Sequence, residues 1–144
     1  MIRVYVHVAL FVADGRSPFD EFITADVAAF IRTVVAYKGL RCVHVCVLPD
    51  HVHLLLEVPI RCDVYSALDT LRYWLQDYME RHTSQPPFDW QDRLWVVSKS
   101  PCDLPAVEKY FRRQTDYHVG RDIQQEWEDM MDLEEIGEGE MVKW

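Results

Sequence analysis

The sequence predicts an α+β fold: a ferredoxin-like, RRM-like antiparallel sheet in the order β-α-β-β-α-β-α with helices packed on one face. Three observations point there. Four runs rich in β-branched and aromatic residues read as strands, apolar residues at helical spacing fill the intervals between and after them, and 144 residues suffice for one core but not for two ordinary domains. Hydrophobic residues at 49% and charged residues at 27% exclude a disordered or fibrous chain. No apolar stretch approaches the roughly 20 residues that span a bilayer, which argues against a membrane protein.

The elements follow in order. Arg3–Ala13 is β-branched and aromatic, and Asp14-Gly15 ends it as a turn, giving the first strand. Thr24 is placed to cap a helix whose Val27, Phe30, Ile31 and Val34 share a face, and Gly39 to close it. Leu40–Leu48 and His51–Val58 are two further strands across Pro49-Asp50, a tight hairpin. Asp63 caps a second helix with Val64, Leu68, Leu71, Leu75 and Tyr78 on one side, ending before the polar loop His82–Pro87. Arg93–Ser98 is the fourth strand. Pro105 suits the first turn of a third helix, on which Val107, Tyr110, Phe111 and Gln114 share a face. A weaker helix covers Asp122–Leu133, and Gly137 and Gly139 loosen the remainder.

The net charge of -9 is unevenly spread. Residues 122–144 carry nine acidic residues against Lys143, a net of -8, so the body at 1–121 is nearly neutral at -1. A solvated acidic segment is the common reading of such a run, and a tail that guards or mimics a polyanion's binding site is the other. Cys42, Cys46, Cys62 and Cys102 form no CxxC pair and lack the density of a disulfide scaffold, which suggests a reducing, cytoplasmic setting. The N-terminal run alternates like a strand and shows no cleavage pattern of a targeting segment.

Chemistry concentrates in two places. On the third strand, alternation puts His51, His53 and Glu57 with Leu55 on one face and Val52, Leu54, Leu56 and Val58 on the other. Imidazoles at i and i+2, about 7 Å apart at their Cα atoms, can converge on one cation; the alternative is two histidines on a half-exposed strand face. Tyr110 and Gln114, four residues apart, project from one helix face. An amide oxygen can join two imidazoles around a metal and leave positions for water or phosphate oxygens, and a phenol beside a metal-bound phosphate can attack phosphorus. The alternative for Tyr110 is a core aromatic beside Val107 and Phe111. A rival zinc constellation would use Cys42, His44 and Cys46 with His51 and His53 if the hairpin register is regular, and a bulge would break it.

The run Leu48-Pro49-Asp50-His51-Val52-His53-Leu54-Leu55 resembles the His-hydrophobe-His (HUH) motif of the single-tyrosine transposases that move the smallest bacterial insertion sequences. That family is the insertion-sequence-200-like one, including the REP-associated tyrosine transposases. Phe88-Asp89-Trp90-Gln91, Val97-Ser98-Lys99-Ser100, the segment Val107–Gln114 and Tyr117-His118 are similar to its second block in order and spacing. The resemblance covers about Val4 to His118, with the transposase domain at 1–121 and a partly helical acidic tail at 122–144. It implies that His51, His53 and Gln114 ligate Mg²⁺ or Mn²⁺. It also implies that Tyr110 cleaves single-stranded DNA, keeping a 5′-phosphotyrosine link and releasing a 3′-hydroxyl that can reverse the attack. Family members act as homodimers on short hairpins at element ends, often with one subunit's tyrosine serving the other's histidines.

Two departures stand out. Arg93 and Leu94 replace the family's usual Gly and aromatic, and Asp77 and Glu80 stand in a helix where relatives tend to be basic. A neutral body grips phosphate only where its cations cluster; Lys99, Lys109, Arg112 and Arg113 form one candidate cluster, and Trp90, Trp95 and Trp74 are candidates for stacking on unpaired bases. The leading expectation is a single-strand DNA transposase. A domesticated relative that binds a hairpin or a protein without cutting is the alternative, and a zinc-stabilised structural protein is a third reading.

Overall fold

Side-chain alternation along the strands sorts the apolar residues into two sets, and a different group of helices covers each. The computed structural model describes residues 3–134. It runs β1 (Val4–Val12), α1 (Thr24–Tyr37), β2 (Arg41–Val47), β3 (His51–Val58), α2 (Val64–His82) and β4 (Trp90–Lys99). A 3₁₀ turn at Pro101–Asp103 then leads into α3 (Leu104–Arg112), α4 (Gln114–Tyr117) and α5 (Ile123–Leu133). The strands form one antiparallel sheet in the order β2-β3-β1-β4, as the α+β, ferredoxin-like reading requires. The expected loosening at Gly137 and Gly139 lies outside the described residues. Among the described residues no helix is long and apolar enough to cross a membrane.

Val6, Val8, Leu10 and Val12 of β1 and Val52, Leu54 and Leu56 of β3 face α1 and α2, meeting Val27, Ile31, Val34, Leu68, Leu71 and Leu75 in the main core. Each fully buried aliphatic side chain there contributes about 1.5–3 kcal/mol. The opposite face is covered as well. Tyr5 and Leu55 pack on Val107 and Phe111 of α3, while Ala9, Phe11 and Trp95 pack on Trp127 and Met130 of α5. The site lies on this second face.

Local chemistry explains the element ends. Gly39 takes φ +87°, a left-handed conformation it adopts without penalty because it has no Cβ, and the Leu40 N–H returns to the Val35 carbonyl at 2.9 Å to close α1. Thr24 does not cap α1: its hydroxyl donates to the Glu21 carbonyl, and Ile23 is the cap residue. Asp63 caps α2, its carboxylate accepting from the Ser66 N–H at 3.0 Å. Asp63→Ala should therefore lower unfolding free energy by about 1 kcal/mol, read as an earlier midpoint in urea at unchanged m-value. β4 begins at Trp90, three residues before the expected Arg93. The third helix stops at Arg112, because Arg113 sits near φ -93°, ψ 2°; Gln114 opens the separate α4 rather than continuing the face of Tyr110.

Candidate metal centre and nucleophile

Both histidines of β3 face the second side, His51 opposite Phe11 and His53 opposite Ala9 of β1, and neither is exposed to solvent. Each is held at Nδ1. The His51 Nδ1 lies 2.8 Å from Asp50 Oδ1, and since a carboxylate only accepts, that nitrogen carries the proton. The His53 Nδ1 lies 2.9 Å from Nε2 of His7, a buried β1 histidine. Orienting partners at one ring nitrogen are what metal-ligating histidines have, because they leave the other lone pair aimed at the ion. The two Nε2 atoms converge on the Gln114 amide, 3.2 Å from His51 and 3.1 Å from His53. Chain separation does not matter here; α4 carries Gln114 into place although α3 has already ended.

A carboxylate that sequence reading assigned to the acidic tail completes the cluster. Asp122 caps α5 by accepting from the Gln125 N–H at 2.8 Å, and Trp127 and Met130 anchor the helix on the sheet. Glu126, beside Trp127, is thereby driven into the site and fully buried. Its Oε1 lies 2.5 Å from His53 Nε2, its Oε2 lies 3.2 Å from His51 Nε2, and it also contacts His118 Nε2. Turning the Gln114 amide would let its nitrogen donate to Glu126 Oε2 at 3.1 Å, while the opposite orientation offers oxygen to a cation. Ile123, Trp127, Met130 and Met131 stand at i, i+4, i+7 and i+8, a helical stripe that marks α5 as a docking helix; this signal was present in the sequence beneath the acidic composition.

Burial alone would raise the Glu126 carboxyl, but hydrogen bonds from His51 and His53 outweigh it and hold that group well below the usual carboxylate range. Burial also works against a charged His51, yet Asp50 and Glu126 overcome it and push this imidazole up to about 9. His53, more deeply buried and beside His51, is pushed down, and burial with the neighbouring His53 sends His7 well below its ordinary value. One imidazole can carry the compensating proton, and His51, with two carboxylates, is the one.

Tyr110 meets this cluster within a single subunit. Its hydroxyl donates to Glu126 Oε1 at 2.9 Å, and its ring stands edge-on to His53 at 5.4 Å between centroids. Burial first, then the charge of Glu126, raises its phenol well above the ordinary value. The remaining candidates divide. Lys99 shares the site face and pairs with Glu134. Lys109, Arg112 and Arg113 are exposed around α3, with Arg112 3.9 Å from Glu108. Trp90 lies with the opposite core: its indole N–H donates to the Arg72 carbonyl, and its ring packs on Phe19 and Phe88. The structure does not bring it to the site. The cysteine constellation also fails, because a bulge between Cys42 and His44 turns Cys42 to the main core while Cys46 packs with Leu55 and Phe111 on the opposite face.

The donor set suits a divalent cation. Ligands at right angles around an ion with bonds near 2.1 Å lie about 3 Å apart, which is the spacing from the Gln114 amide oxygen to Nε2 of His51 and of His53. Cavities of about 990 Å³ beside His51, His118 and Arg121 and about 420 Å³ beside Tyr110, Trp95 and Lys99 flank the cluster. A family model described as "Transposase IS200 like" matches residues 1–114. The chain belongs to the IS200-like transposase family.

Among solved structures, a candidate transposase from Deinococcus radiodurans R1 is 19% identical with a TM-score of 0.63, over 79% of this chain and 92% of that one. A REP-associated tyrosine transposase bound to a REP hairpin is 17% identical, also at 0.63, over 80% of this chain and 68% of that one. No curated protein matches. At such identities these likenesses establish the shared fold. In this IS200-like transposase the family match ends at Gln114, so His118 and Glu126 lie beyond it. Arg93, one of the two departures, stacks over Trp127 at 4.6 Å and helps hold α5 in place.

Proposed function

We propose that this family member is a single-stranded DNA transposase that cuts and rejoins strands at hairpin-marked ends through Tyr110, acting in the cytoplasm as a homodimer. The observation that carries the reading is that the Tyr110 hydroxyl and the Nε2 atoms of His51 and His53 converge on the same carboxylate. His51, His53 and Gln114 would hold Mg²⁺ or Mn²⁺, which when bound polarises the scissile phosphate. The Tyr110 oxygen gives up its proton as it bonds to phosphorus, the bond from phosphorus to the 3′-oxygen breaks, and that oxygen takes up one proton and leaves as a hydroxyl, so the exchange is proton-neutral overall. The 5′-phosphotyrosine keeps the phosphodiester energy for rejoining, so no nucleotide cofactor is needed. Lys109, Arg112, Arg113 and Lys99 supply the phosphate contacts, which makes binding salt-dependent. The hairpin bound by the REP-associated neighbour supports a hairpin substrate here.

A non-cutting relative is favoured by one specific feature: the Tyr110 hydroxyl is engaged as a donor to the buried Glu126 carboxylate. Incubating the protein with hairpin-ended single-stranded oligonucleotides and Mn²⁺, then mapping DNA-linked peptides by mass spectrometry, separates the two. An adduct on Tyr110 is expected. Hairpin binding with no adduct establishes the non-cutting reading, and an adduct on Tyr117 or another residue overturns the nucleophile.

A further inference from the structure

We infer that His118 and Glu126 are additional metal ligands, so that the C-terminal segment closes the metal centre and a bound cation locks α5 onto the sheet. This rests on the reading of His51, His53 and Gln114 as a metal site, and it adds donors that lie beyond the family match. His118 has the arrangement of the two strand histidines. Its Nδ1 is 2.7 Å from the Arg121 carbonyl, which only accepts, so that nitrogen carries a proton and Nε2 is the ring nitrogen left to face a cation. That Nε2 lies 3.2 Å from the Gln114 amide oxygen and against Glu126, and its ring is 4.8 Å from that of His51 between centroids. The potential ligand atoms of His51, His118 and Glu126 all lie within 4.8 Å of one another. Glu126 is fully buried, and an enclosed carboxylate requires a cation or a full set of donors around it. Three imidazoles, one carboxylate and one amide make a mixed nitrogen and oxygen set, which suits Mn²⁺ or Zn²⁺ better than Mg²⁺ with its demand for oxygen and water.

Because Glu126 stands one residue from Trp127, metal binding and α5 docking are coupled: whatever holds the carboxylate also holds the helix. In Mn²⁺ titrations by calorimetry, Glu126→Gln, Glu126→Ala and His118→Ala should each weaken binding at least about tenfold. In hydrogen exchange, Mn²⁺ should add protection across Ile123–Leu133 in the wild type and little in these variants. His53→Ala is the reference, and circular dichroism checks that each variant is folded. If His53→Ala binds Mn²⁺ as the wild type does, the strand-histidine site itself is wrong. If His53→Ala loses the metal while the Glu126 and His118 variants keep wild-type affinity, the inference alone fails. Tighter binding after Glu126→Ala also overturns it, since the carboxylate would then compete with the cation for the histidines.

Discussion

Tyr110→Phe is expected to leave a folded protein that still binds hairpin DNA and forms no covalent adduct, seen as the loss of the slow-migrating species in denaturing electrophoresis. The substitution removes one oxygen. If that oxygen is the nucleophile, the residual rate falls to background, a loss of at least about 10⁴-fold, because positioning the phosphate without an attacking group does not break the bond. The structural effect is small by comparison. Glu126 loses one donor but keeps His51, His53 and His118, so the buried carboxylate is not stranded and the cost lies near the low end of about 1–3 kcal/mol. An adduct of undiminished yield would remove Tyr110 from the chemistry, and a collapse of thermal stability would show that its main role is in packing.

Trp127→Ala should have the largest structural effect. The indole meets Phe11 at 5.7 Å and Trp95 at 5.6 Å between centroids, both edge-on, and carries the Arg93 guanidinium on its face. Truncating a buried tryptophan costs about 3–5 kcal/mol when the structure cannot collapse around the gap. Here a second outlet exists. The main core lies on the other side of the sheet, so α5 can detach while β1–β4, α1 and α2 stay folded, and the global loss then stops at the free energy of docking. Either way the amides of Ile123–Leu133 lose protection in hydrogen exchange and Glu126 leaves the histidines. Unchanged exchange over α5 would mean that Met130 and Ile123 suffice to anchor it.

Much of the fold was legible because it follows local rules. Alternation in β3 put His51 and His53 on one face, Asp63 and Gly39 marked helix ends through capping and positive φ, and the hairpin at Pro49-Asp50 set their order. Register was less legible. Nothing local announced the bulge in β2 that sends Cys42 away from Cys46, or the break at Arg113 that separates Gln114 from the helix of Tyr110. His7 belongs to the apolar first strand, and its contact with His53 depends on β1 lying beside β3.

The deepest divide concerns Glu126. Spacing and residue type alone determined the succession of strands and helices along the chain, the paired imidazoles and a tyrosine on a late amphipathic segment, since these depend on periods of 2 and 3.6 residues. Only the tertiary structure decided that an acidic residue within a strongly acidic segment is buried rather than solvated. Charge composition sums over a stretch of chain, whereas burial belongs to one side chain and is set by the neighbours it lands among: the apolar stripe of α5 docks on Ala9, Phe11 and Trp95, and Glu126, beside Trp127, is carried to the imidazoles.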